Sequence, residues 1–309
     1  MTGGSRRDHF CDRLAALVEE RRSRVVLGLD PDPGALWPEA LGRLAGTSEG
    51  GRFARAHTAE AVVEHCRAAI VSAGPACVAV KPQLACFERL GAPGWEALEQ
   101  VVAIGRDHGL LVIADAKRGD VPVTARAYAQ ALVGETKGPF GPIAGLGVDA
   151  FTANPLLGRD SLAPLIEAAA AAGAGCFVLV RTSNPGAAEL QDEGDPPLHD
   201  RLARLADELG ADHVGESGLS LVGAVTGATQ PALLERLREL MPRAVFLLPG
   251  VGAQGGDAGL LGPAFAPHPA AGLVTASRSI VDAHRERGGD PAGAAASAAE
   301  ELRALVWDL

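Results

Sequence analysis

The stretch Asp115-Ala116-Lys117-Arg118-Gly119-Asp120 places two carboxylates and two cations within six residues. Asp115 and Lys117 close the apolar run 110–117 (LLVIADAK), which reads as a β-strand. Side chains two apart on a strand share a face, so the pair is expected to sit together. Taking either charge out of water alone is costly, and each needs the other. An isolated Asp-x-Lys is most simply a strand-end salt bridge. Here a second lysine, Lys81, ends the run 77–81 (CVAVK), and Asp30 ends the run 25–30 (VVLGLD). Asp120 lies where the following helix begins, and Thr124, four residues on, is expected on the same helical face. Two lysines and three acids converging on one opening form the kind of site in which ion pairing tunes proton affinities.

The elements that must position these groups recur along the chain. Further apolar, β-branched runs occupy 147–152 (GVDAFT), 176–182 (CFVLVRT), 221–227 (LVGAVTG), 244–249 (AVFLLP) and 272–277 (GLVTAS). Helix-compatible stretches such as 95–107 and 161–172 separate the runs. Eight strand–helix units predict an α/β fold, a (β/α)8 TIM barrel, in one domain spanning 1–309. An open doubly wound sheet carries six or seven such units, and the placement of polar residues favours the barrel. Asp30, Lys81, Lys117, Thr152, Thr182 and Arg278 all fall at or just past the C-terminal end of a run, the face on which barrels build their sites. The segment 8–23 is expected as a helix closing the barrel bottom. Stretches 191–218, around one short helical piece, and 255–271 are expected as loop insertions.

A separate argument concerns anion binding. After the seventh run, PGVGAQGG offers glycines whose N–H groups can turn toward an anion, with Gln254 as a side-chain partner. Arg278, after the eighth run, can fork onto phosphate oxygens. Loops seven and eight are the recurrent phosphate site of such barrels.

Composition narrows the field. A hydrophobic fraction of 47% with 4% aromatics implies a core of small aliphatic residues. A net charge of −10 without a basic stripe makes nucleic acid an unsuitable partner. The five cysteines form no CxxC pair, and their odd number points to a reducing, cytoplasmic setting. The opening residues lack an apolar signal core, and no apolar run reaches 18 residues, so no membrane partner is expected. The histidines, including His57 and His65 on one helix, read as structural or exposed groups, and no metal site is expected.

Asp115-x-Lys117-x-x-Asp120 resembles the signature of the orotidine 5'-phosphate decarboxylase family, and the likeness extends through Thr124. Segments 151–160 (FTANPLLGRD), 180–192 (VRTSNPGAAELQD), 249–257 (PGVGAQGGD) and 276–280 (ASRSI) are similar to the longer, bacterial-type branch, in the family's order. Leu156 departs from that pattern, where an aromatic is expected after Asn-Pro. The resemblance implies cofactor-independent decarboxylation of orotidine 5'-phosphate to UMP, the last step of de novo UMP biosynthesis. It assigns Lys117 as proton donor to C6, with Asp115 facing the substrate carboxylate and Lys81 completing an alternating charge network. Asp30 would hold the ribose hydroxyls, Ser183 the pyrimidine, and Gln254 and Arg278 the phosphate. Asp120 and Thr124 would reach into the partner's site of a homodimer.

Three alternatives stand beside this one. A metal-dependent decarboxylase of β-keto sugar phosphates would need an acid where Lys81 stands. A Schiff-base aldolase would need a neutral lysine, and a carboxylate beside Lys117 favours the charged form. A barrel that only binds nucleotides would hold orotidine phosphate without releasing CO2.

Overall fold

The computed structural model describes residues 8–42, 52–227, 231–250 and 261–309. Its strands in chain order are β1 (Val25–Leu29), β2 (Ala79–Pro82), β3 (Leu111–Arg118), β4 (Glu135–Gly138), β5 (Gly141–Ala144), β6 (Ala150–Ala153), β7 (Gly175–Arg181), β8 (Ser220–Thr226), β9 (Ala244–Pro249) and β10 (Gly272–Ala276). Eight of them close into a barrel in the order β1-β10-β9-β8-β7-β6-β3-β2, and every pairing is parallel. This is the (β/α)8 architecture expected from the strand–helix alternation, with each barrel strand within three residues of its expected bounds.

Side-chain alternation sorts each strand into two apolar sets. Val25, Leu27 and Leu29 of β1, Val112 and Ala114 of β3, and Cys176, Val178 and Val180 of β7 face outward into the main core shared with the helices. Val26, Ala79, Leu111, Ile113, Ala150, Phe177, Val245 and Leu247 face the barrel interior. That interior set is completed from below by the helix Phe10–Arg21, whose Phe10, Cys11, Leu14 and Val18 are fully buried in it. The expected closure of the barrel bottom is therefore present. The Phe10 and Phe177 rings meet edge to face, 5.9 Å apart. Gly175 makes this possible, since a Cβ there would lie 2.6 Å from the Phe10 ring.

Two features depart from expectation. The stretch 191–218 holds more helix than the one short helical piece expected there. It contains the helix Leu198–Gly210, which buries Ala203 and Ala206 and packs against β7 and β8. Its many charged residues mask an amphipathic period, which is why it reads as a polar insertion. The second departure is β4 and β5, an antiparallel hairpin between the helix Pro122–Leu132 and β6, with the Phe140 side chain fully exposed at its turn. In the second expected insertion, residues 261–271 form two 3-10 turns, Gly262–Phe265 and Pro269–Ala271. All five cysteines are unpaired. No helix among the described residues is long and apolar enough to cross a membrane.

Candidate active site

The inward rows of the barrel change character at their C-terminal ends. After Ala79 comes Lys81, after Leu111 and Ile113 comes Asp115, after Ala150 comes Thr152, and after Leu273 comes Thr275. Alternation alone thus carries a polar layer onto the apolar interior. These four residues, with Asp30, Lys117, Thr182, Ser183 and Arg278, line one cavity of about 430 Å3 at the barrel mouth. All six polar strand-end residues singled out in the sequence face this cavity.

Asp115 is its electrostatic centre. Its Oδ2 accepts from Lys81 Nζ at 2.6 Å and from Gln83 Nε2 at 3.1 Å. Its Oδ1 accepts from Lys117 Nζ at 2.5 Å and from Thr152 Oγ1 at 3.0 Å. Burial disfavours the ionised carboxylate, but the two flanking ammonium groups outweigh it and hold the Asp115 pKa down at about 2. The lysines differ in reach. The Lys81 side chain is 9% exposed and locked behind the carboxylate, whereas that of Lys117 is 45% exposed and free to meet a ligand.

Lys117 does not reach this position by regular pleating. The β3–β6 register runs Ala114↔Phe151 and then Arg118↔Ala153, so four steps of β3 are opposed by two of β6. Lys117 within the bulge has φ +48°, a left-handed conformation that lysine rarely adopts.

At the opposite wall, Ser277 Oγ donates to Asp30 Oδ2 at 2.7 Å and lies 3.2 Å from the Gly28 carbonyl. Gly28 permits this approach, since a Cβ there would stand 2.8 Å from that of Ser277. Thr182, Ser183 and Asn184 follow β7 as a loop tied down from behind. Arg181 forks onto Asp192 at 2.7 and 3.0 Å, and Gln191 Oε1 accepts from the Thr182 N–H at 2.8 Å. Gly250, the last described residue of its loop, lines the same cavity as Arg278. Gln254 lies outside the described residues.

Asp120 is not brought to this chain's cavity, so only Asp30 and Asp115 of the three acids converge there. Asp120 precedes the helix Pro122–Leu132 and accepts from the Val121 N–H at 2.8 Å, so it does not share a helical face with Thr124. Thr124 is exposed on that helix, beside the exposed Val121 and Val123.

Gln83 and Ser277 contribute without having been singled out in the sequence. Gln83 carried a usable signal, being two residues past Lys81 at the same strand end. The Arg181–Asp192 pair, eleven residues apart across a loop, carried none.

Asp115 gives a pH prediction. Its folded-state pKa lies below the unfolded value, so its stabilisation is present above about pH 4 and lost as pH falls toward 2. Urea denaturation between pH 5 and 2 should show the wild type losing roughly 2 kcal/mol more than Asp115→Asn. Parallel losses in the two proteins would contradict the placement of the carboxylate.

A family model described as Orotidine 5'-phosphate decarboxylase / HUMPS family matches residues 23–295. An orotidine 5'-phosphate decarboxylase of Deinococcus radiodurans is 42% identical over 295 residues, covering 95% of each chain. One from Rhodopirellula baltica is 38% identical over 278 residues, covering 89% of each. Among solved structures, the Leishmania donovani OMP decarboxylase superposes with a TM-score of 0.71 at 31% identity, covering 97% of this chain and 99% of that one. This chain belongs to the orotidine 5'-phosphate decarboxylase / HUMPS family.

Proposed function

We propose that this protein is a single-domain barrel enzyme that decarboxylates orotidine 5'-phosphate to UMP and CO2, completing de novo UMP biosynthesis without a cofactor. The observation that carries the reading is Asp115 held between Lys81 and Lys117 at the barrel mouth. Relatives bearing the decarboxylase name along nearly the whole chain support it. A divalent cation does not fit the same position, because the Lys81 ammonium stands 2.6 Å from the carboxylate that would have to bind it.

Loss of CO2 leaves an electron pair on a ring carbon with no adjacent carbonyl to delocalise it. Lys117 sets a cation beside that carbon as charge develops and then transfers a proton from Nζ to C6. Asp115 faces the departing carboxylate and holds Lys117 in line, and Lys81 offsets the charge of Asp115. Asp30 receives the ribose hydroxyls, Ser183 the pyrimidine edge, and Arg278 with Gln254 the phosphate. Phosphate binding at that remote end draws the reacting end into register, so part of its energy appears in the rate. The protein acts as a homodimer in which Asp120 and Thr124 complete the partner's site. Their position beside the exposed Val121 and Val123, around the start of the helix Pro122–Leu132, supports this arrangement.

Two assays test the proposal. Purified protein mixed with orotidine 5'-phosphate in EDTA should deplete the orotate absorbance, and Lys117→Ala should lower the rate by at least about 1,000-fold. A well-folded wild type without turnover would overturn the assignment. Mixing the inactive variants Lys117→Ala and Asp120→Ala should restore about a quarter of wild-type turnover. Half of the random dimers are hybrids, and each carries one intact site. Absence of recovery after verified subunit exchange would place Asp120 in its own subunit's chemistry.

A further inference from the structure

We infer that Thr152 is the positioning residue of the charge network, its hydroxyl fixing both the Lys117 backbone and the Asp115 carboxylate. This rests on the decarboxylase reading and adds a residue to it. The bulge that projects Lys117 into the cavity also detaches its backbone from the β3–β6 ladder. Its N–H donates instead to Thr152 Oγ1, at 2.8 Å. The same hydroxyl donates its proton to Asp115 Oδ1, at 3.0 Å. One oxygen on β6 therefore ties together the backbone of one member of the ion pair and the side chain of the other. Thr152 is 1% exposed, and both hydrogen bonds are made within the protein. Its place on the inward row of β6, opposite the bulge, brings the hydroxyl within reach of both partners.

The consequence is geometric. Asp115 Oδ1 also receives Lys117 Nζ at 2.5 Å, so Thr152 sets the carboxylate rotation that aims the ammonium. Lys117 is held at φ +48°, an intrinsically unfavourable conformation for lysine that persists only where surrounding contacts determine it. The Thr152 hydroxyl is such a contact. Without it the half-buried Lys117 N–H and one lone pair of the buried Asp115 lose their partner, and the segment can relax toward an ordinary strand.

The experiment compares Thr152→Val, which keeps the shape and removes the hydroxyl, with Thr152→Ser, which keeps the hydroxyl. Steady-state kinetics on orotidine 5'-phosphate should show kcat of Thr152→Val reduced about 10- to 100-fold, with KM changed by less than about threefold. Thr152→Ser should recover to within about threefold of wild-type kcat. Thr152→Ala is assayed in parallel, so that a folded hydroxyl-free variant, verified by circular dichroism, is in hand. A hydroxyl-free variant with kcat within about twofold of wild type would overturn the inference. Equal loss in Thr152→Ser and Thr152→Val would overturn it too, since packing and not the hydroxyl would then be responsible. Wild-type protein is run alongside, and its failure to release CO2 would refute the decarboxylase reading instead.

Discussion

A carboxylate shared between two ammonium groups is the interaction around which this molecule is organised. Asp115 is buried, and an isolated buried carboxylate would neutralise itself. Lys81 on one side and Lys117 on the other hold it ionised, and Thr152 and Gln83 occupy its remaining lone pairs. Four elements must be in register for those contacts to coexist: β2, the turn after it, β3 and β6. Closure of the barrel supplies that register, since β3 pairs with β2 on one side and β6 on the other. The apolar interior below, plugged by the helix Phe10–Arg21, confines the polar layer to the mouth. There water and a ligand reach Lys117 but scarcely reach Lys81.

The site departs from regular structure where chemistry requires it. The β3 bulge and the left-handed Lys117 re-aim one side chain out of the pleat, and neighbouring contacts stabilise the departure. Across the cavity a different device serves. The loop bearing Thr182, Ser183 and Asn184, all of which line the cavity, is anchored from behind by Arg181–Asp192 and Gln191. His199 extends that anchor into the helix Leu198–Gly210, its Nδ1 lying 2.8 Å from the Gln191 carbonyl. The helix thereby supports the site as well as covering β7 and β8.

Much of this was legible in the sequence, for identifiable reasons. Barrel strands buried on both faces read as continuous apolar runs, so all eight were visible. Strand-end polarity located the cavity, because a barrel gathers all such ends on one face. The extent of the helix Leu198–Gly210 was obscured by its charge content, and the β4–β5 hairpin by strands of only four residues each. Spacing placed Asp115 and Lys117 together, but through a pleat that the structure replaces with a bulge. No local pattern foretells a bulge whose Lys117 N–H is met by the Thr152 hydroxyl on another strand. The convergence of Asp120 on the same opening was a reasonable extrapolation of strand-end polarity, yet Asp120 lies beyond the strand, where alternation no longer governs direction.

The most direct test of the account is a kinetic cycle on kcat/KM with Asp115→Asn, Lys117→Ala and the double variant. Residues that act as one unit lose nearly everything at the first substitution. The account predicts that the double variant falls no further than about threefold below the weaker single variant. Losses that multiply across the two substitutions would show that Asp115 and Lys117 act independently, and would contradict the shared carboxylate as the organising interaction.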